Sequence, residues 1–141
     1  MFIGTAFHNV DEKGRVMVPA KFRLSLGQRF ILTCGQNRTL TLYTQDEWAR
    51  IAETLKQLPT FSPEANLMRR VLAGGAEEVT TDAQSRMTIP APLREYAGIS
   101  DEIVMLGTVD KVEIWSKALW VQFYQNLPDD AIDLAARELG L

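Results

Sequence analysis

Apolar and polar positions along the first half of the chain follow a rhythm that returns in the second half. A short apolar-containing strand is predicted near Ile3–Phe7. It runs into Asp11-Glu12-Lys13-Gly14, where Asp at the first place and Gly at the fourth are the residues a tight turn favours. The strand resumes as Val16–Val18. Pro19 suits the first turn of a helix, and the short helix through Phe22 and Leu26 is expected to stop at Gly27. Two strands follow, Phe30–Thr33 and Thr39–Tyr43, joined around Gly35-Gln36-Asn37, with Leu40 and Leu42 alternating against threonines as a half-buried strand requires. In the second half, Ile103–Leu106 and Val112–Trp115 flank Gly107-Thr108-Val109-Asp110 in the same way.

A helix is expected after each of these hairpins. Thr44 and Glu47 have capping-box spacing ahead of Trp48, Ile51, Ala52 and Leu55, and that run stops at Leu58-Pro59. Ser116 opens the counterpart, which stops at Leu127-Pro128. Ser62-Pro63-Glu64 starts a linking helix carrying Leu67, Val71 and Leu72, ended by Gly74-Gly75, and Asp129-Asp130 begins a last helix with Ile132, Ala135, Ala136 and Leu139 on one side. Such apolar stripes are expected to pack on a neighbouring helix or on another subunit. The fold class is therefore α+β, rich in β.

The rhythm is an internal repeat. A shift of 71 residues sets DEKGRVMVPAKFR, from Asp11, on DAQSRMTIPAPLR, from Asp82. Asp11, Arg15, Pro19, Ala20, Arg23 and Gly27 then fall on Asp82, Arg86, Pro90, Ala91, Arg94 and Gly98. One inserted residue moves the offset to 72, after which Leu40, Leu42, Tyr43, Thr44 and Trp48 fall on Val112, Ile114, Trp115, Ser116 and Trp120. Because 141 residues at 46% hydrophobic suffice for one ordinary domain or two very small ones, the two copies must share a core.

Charge separates the copies. The net charge is -3, but residues 1–70 hold 10 Lys and Arg against 6 Asp and Glu, whereas residues 71–141 hold 5 against 12. An acidic chain can thus present one basic face, and nucleic acid responds to the local field. No apolar run is long enough to span a bilayer and the first residues lack the pattern of a secretion signal, so a soluble, cytosolic protein is expected. A single cysteine, Cys34, and a single histidine, His8, supply neither an internal disulfide nor a metal-ligand set and fit packing positions. With no phosphate loop and no nucleophile grouping of recognisable spacing, no catalytic residue, metal or cofactor is expected.

At HNVDEKGRVMVPAKFR and DAQSRMTIPAPLREYAG the chain resembles the MraZ family, whose two AbrB-like repeats each carry an Asp-x-x-x-Arg motif, here Asp11 to Arg15 and Asp82 to Arg86. Ser85 departs from the family pattern, standing where a glycine matched by Gly14 is usual. The likeness runs from Met1 to about Trp120. It implies tandem swapped-hairpin repeats that interlock as a pseudo-dimeric β-barrel within one chain, with flanking helices. The first repeat would occupy residues 5–47, a helical linker 48–75, the second repeat 76–119 and C-terminal helices 120–141. It further implies a nucleoid-associated bacterial regulator that assembles into a ring. Such a regulator would bind short direct repeats in double-stranded DNA upstream of the division and cell-wall gene cluster, its own promoter included.

Within that frame the residues divide by chemistry. Arginine can offer two parallel donors to guanine, and other basic side chains neutralise phosphates. Arg15 is the expected base contact. Lys13, Lys21 and Arg23 are close by in sequence and suit phosphates, while His8 and Asn9 lead into the same turn. Asp11 and Gly14 organise that turn. Because the second copy has Gln84 and Pro92 in place of Lys13 and Lys21, and Glu77 and Glu78 just upstream, Asp82 and Arg86 are read as organising their own turn and contact is assigned chiefly to the first copy. Tyr43, Trp48, Trp115 and Trp120 are read as packing residues rather than a base-stacking platform. The rival readings are an AbrB-like antitoxin, which would neutralise a toxin through an extended polar tail, and a structural ring protein that binds no DNA.

Overall fold

The structure, a computed structural model, describes all residues 1–141. Chain order is β1 (Thr5–Asn9), β2 (Arg15–Met17), α1 (Ala20–Leu26), β3 (Phe30–Cys34), β4 (Leu40–Thr44), α2 (Gln45–Gln57), α3 (Pro63–Met68), β5 (Glu77–Val79), β6 (Arg86–Thr88), α4 (Ala91–Ala97), β7 (Glu102–Gly107), β8 (Val112–Ser116), α5 (Lys117–Gln125) and α6 (Ala131–Leu139). A wider helical turn over Arg69–Ala73 extends α3. The fold is α+β. The capping signals act as their chemistry requires: Thr44 Oγ1 accepts from the Glu47 amide at 3.1 Å, Ser62 Oγ from Ala65 at 3.2 Å and Ser116 Oγ from Leu119 at 3.1 Å. The reciprocal half of the capping box at Thr44 is not made, because Glu47 is drawn to Arg50 instead. Asp130 makes no side-chain cap on α6.

The two halves interleave. Six strands form one sheet in the order β1-β7-β8-β4-β3-β5, so the first strand of each repeat lies at an edge, bonded to the hairpin of the other. At the centre β4 meets β8 with Thr41 opposite Glu113, and Leu40 and Leu42 opposite Ile114 and Val112. Thr41 and Glu113 are also equivalent under the 72-residue offset, so this pair marks a pseudo-twofold axis. The two remaining strands, β2 and β6, pair only with each other. Their central pair, Val16 opposite Met87, is again a pair of repeat equivalents, and the axis passes through it as well.

The sheet does not close into the expected barrel: β1 and β5 are free edges, and the β2–β6 ribbon is a separate layer. The reason lies in the turns after the edge strands. Each turn carries the chain off the sheet, so that the strands that could close a barrel pair with each other across the core. That core is a cluster of 21 buried residues, in which Val16 and Met87 (each 1% exposed) meet Phe22, Leu93, Phe30, Leu32, Ile103 and Ile114. Three residues a strand is too short for a ribbon to persist alone. Burial of Val16 and Met87, about 1.5–3 kcal/mol each, fastens it to the protein.

Tyr43 and Trp115 are buried, as expected of packing residues, whereas Trp48 and Trp120 are only half-buried because α2 and α5 lie on the surface. Trp120 instead packs edge-on against Phe7 and tilted against Tyr124, with ring centroids 5.4 and 4.9 Å apart. Cys34 belongs to the core, its thiol donating to the Val71 carbonyl at 3.3 Å, and burial pushes that thiol's pKa up. The last helix, α6, buries none of its residues and leaves Ile132, Leu134 and Leu139 exposed.

Candidate nucleic-acid interface

Alternation along β2 and β6 decides what the ribbon presents. Val16 and Met87 point to the core, so Arg15 and Met17 of one strand and Arg86 and Thr88 of the other share the outward face. Arg15 is opposite Thr88 and Met17 opposite Arg86. Arg15 and Arg86 are therefore diagonal neighbours, roughly 7–8 Å apart by strand geometry. Sequence placed these arginines in separate copies of unlike charge, and the register brings them onto one surface.

Each arginine is held in the same manner. Asp11 Oδ1 accepts the amides of Lys13 and Arg15 at 2.9 and 2.8 Å, and its Oδ2 accepts Arg15 Nε at 2.7 Å. Asp82 Oδ1 accepts the amides of Gln84 and Arg86, both at 2.9 Å, and its Oδ2 accepts Arg86 Nε at 3.0 Å. The Arg15 amide, then its guanidinium, and the Lys13 amide hold the Asp11 carboxyl below the usual carboxylate range against a smaller opposing effect of desolvation; Asp82 is lowered by Arg86 and Gln84 in the same order. The carboxylate occupies Nε and leaves the terminal guanidinium nitrogens of Arg15 without a protein partner. Those two nitrogens are the pair that a guanine edge would meet.

Ser85 does not disturb the second turn. It adopts φ 62°, and its amide donates to the Asp82 carbonyl at 2.9 Å, just as the Gly14 amide (φ 78°) donates to Asp11 at 3.0 Å. Gly14 carries a second requirement: a Cβ there would overlap the Arg94 guanidinium and press on the Ile89 carbonyl. Gly14→Ala is therefore expected to cost about 1–2 kcal/mol from the left-handed backbone and to lower Tm by roughly 2–8 °C. Ser85→Gly should leave Tm unchanged or raise it. Calorimetry on both variants checks this, and a Gly14→Ala protein as stable as the parent would contradict it.

The remaining candidates scatter. Lys13 is exposed at the tip of the first turn. Lys21 donates from Nζ to the Thr5 carbonyl at 3.0 Å, at the end of β1 away from the turn and thus about 13 Å along the strand from Asn9. His8 and Asn9, opposite Ile103 and Glu102 on β7, line a shallow pocket beside the Lys117–Glu102 ion pair of 3.6 Å. Arg23 donates from Nη1 to the Val18 carbonyl at 3.0 Å, and the Val18 amide donates at 2.9 Å to Ser85 of the second turn. Arg94, absent from the residues expected at the interface, donates from Nη1 to the Ile89 carbonyl, and the Ile89 amide donates at 2.8 Å to Gly14 of the first turn. The equivalence of Arg23 and Arg94 was visible in the repeat; which turn each serves was not, because it depends on β2 pairing with β6.

No group of three His, Cys, Asp or Glu side chains is gathered as metal ligands would be, and no helix is long and apolar enough to cross a membrane. Two turns that share the same aspartate-centred hydrogen bonds, offset as the repeat is offset and differing in that Arg86 Nη2 also donates to Gln84 Oε1 at 2.9 Å, match what comparison with other proteins finds. The family model for MraZ protein, described as antitoxin-like, matches twice, over residues 1–71 and 72–140. A protein of Desulfitobacterium hafniense named transcriptional regulator MraZ is 45% identical over 139 residues, 99% of this chain and 96% of its own length. One of the same name from Alkaliphilus oremlandii is 44% identical over 143 residues, covering all of both chains. With both repeats matched and relatives this similar end to end, the chain belongs to the MraZ family.

Proposed function

We propose that this protein is a transcriptional regulator that binds double-stranded DNA by laying the outward face of the β2–β6 ribbon in the major groove. The observation that carries the proposal is the pair Arg15 and Arg86 on one exposed face, each fixed at Nε by a carboxylate, on a ribbon anchored by Val16 and Met87. A two-stranded ribbon fits the major groove, about 12 Å wide. Preorganised guanidinium groups lose little side-chain freedom on meeting a base edge. Arg15 is the principal base contact, Lys13 a phosphate contact beside it, and Asp11 and Gly14 keep the turn in shape. Asp82 gives Arg86 the same support.

The names of the relatives support a regulatory role. With the family resemblance, the proposal extends to short direct repeats upstream of the division and cell-wall gene cluster, the protein's own promoter included, and to a cytosolic, nucleoid-associated ring of subunits. The uncovered apolar side of α6 supports assembly. The same residues form a helix where an antitoxin would need an extended tail. Titration of a labelled duplex from the protein's own upstream region, at increasing salt, tests the proposal. Affinity for that duplex is expected to exceed that for a scrambled one, and log K to fall linearly with log salt at a slope of about -0.9 per neutralised phosphate. Equal affinity for both duplexes, or no binding, would reject it.

A further inference from the structure

The charge of each turn, counted within its own segment, is zero. Asp11 and Glu12 offset Lys13 and Arg15, and Asp82 offsets Arg86. A neutral turn approaching a phosphate backbone gains little from Coulomb attraction, so the cation that makes the surface positive must come from elsewhere in the fold. Arg94 is placed to supply it at the first turn. Its guanidinium fills the space beside Gly14 that any side chain at that position would occupy. Its Nη1 is pinned to the Ile89 carbonyl, while its other N–H groups have no protein partner. None of the ion pairs in the molecule includes Arg94 or Arg23, so both keep their full charge, whereas Arg15 and Arg86 share theirs with Asp11 and Asp82.

We infer that the two repeats exchange arginines: Arg94 of the second repeat is a phosphate-binding residue of the first turn, and Arg23 of the first repeat serves the second turn in the same way. The path is reciprocal. Arg94 reaches the first turn through Ile89, whose amide bonds to Gly14, and Arg23 reaches the second through Val18, whose amide bonds to Ser85. Gly14 leaves room for Arg94 to lie against the first turn, where a Cβ would overlap its guanidinium. Arg94 sits in the acidic half of the chain, where charge counting along the sequence would not look for such a residue.

This inference rests on the DNA-binding reading above, and the test separates the two. Binding of the full-length protein to its upstream duplex is measured against salt for the parent, Lys13→Gln, Arg94→Gln, Arg94→Lys and Arg23→Gln. The measurement is repeated on duplexes carrying single neutral methylphosphonates. Arg94→Gln is expected to weaken binding roughly tenfold and to make the salt slope shallower by about 0.9 for each phosphate it leaves without a cation. It should also abolish sensitivity to methylphosphonates next to those that Lys13→Gln affects, and Arg23→Gln should map to a different set. The inference is overturned if Arg94→Gln binds as the parent does while Lys13→Gln is weakened, or if Arg94→Gln and Arg23→Gln map to one set of phosphates. If Arg94→Gln fails to fold, Arg94→Lys decides: a salt slope kept at the parent value supports the assignment, and a reduced slope overturns it. Parent protein that shows no sequence preference and no salt dependence would instead reject DNA binding itself.

Discussion

Arg15→Ala is expected to reduce specific DNA binding by at least about a hundredfold while leaving Tm and assembly size almost unchanged. A bidentate arginine–guanine contact discriminates by about 1–3 kcal/mol, and the loss multiplies when two or more linked sites engage adjacent repeats. The fold loses little, because the only protein partner of the Arg15 side chain is Asp11, and both side chains are about one-third exposed (32% and 35%), where water screens the pair. Asp11 would still accept the Lys13 amide and the backbone amide of residue 15, so the turn keeps its shape. Arg15→Lys separates charge from geometry. A point charge without the planar fork should retain salt-dependent, non-specific binding and lose preference for the operator. Fluorescence anisotropy with operator and scrambled duplexes, alongside calorimetry and size-exclusion chromatography, reads all of this. Normal binding by Arg15→Ala, or its unfolding, would show that the arginine is not the base contact.

The parts of the fold that were legible in the sequence are those set by neighbours along the chain. Strand alternation at Leu40 and Leu42, the caps at Thr44, Ser62 and Ser116, and the helix stop at Gly27 all depend on residues within one or two turns, and each of these formed close to its expected place. The first strand is displaced, from Ile3–Phe7 to Thr5–Asn9. Gly4 takes a positive φ of 94°, and the register with β7 sets Thr5 opposite Leu106 and Asn9 opposite Glu102.

Pairing partners were not legible. β1 and β2 flank a short turn and by local rules would form a hairpin, yet β1 pairs with β7 and β2 with β6. Both the local and the exchanged arrangement satisfy the same alternation of Ala6, Val16 and their neighbours; what distinguishes them is a core that exists only when both repeats are present. The same limit applies to the interface. Proximity in sequence grouped Lys13, Lys21 and Arg23 around one turn, but Lys21 reaches back to Thr5 and Arg23 crosses to the other turn's side of the ribbon. Arg94 is the counterpart of that error, since its relation to Gly14 exists only through the β2–β6 pairing.

Cutting the chain between residues 71 and 72, where the two family matches meet, should leave neither half folded as a monomer. The first half alone loses every sheet neighbour of β1 and β2 and the central partner of β4; the second loses the neighbour of β5 and of β6 and the partner of β8. Eleven of the 21 core residues come from the first half and ten from the second, so each half would expose a face built to meet the other. A unit of this size with half a core has no stability in reserve, since even a complete core below roughly 70–80 residues rarely supplies more than 3–5 kcal/mol. Circular dichroism of each half at low micromolar concentration is expected to show little sheet and no cooperative melt, and equimolar mixing should restore both, with a one-to-one complex by sedimentation. Because the repeats are equivalent, the first half can also pair with itself, and any structure it shows alone should then rise with concentration. A first half that melts cooperatively as a monomer would mean that β1 and β2 have found partners within their own repeat, and the exchanged sheet on which both the ribbon and the crossed arginines depend would be wrong.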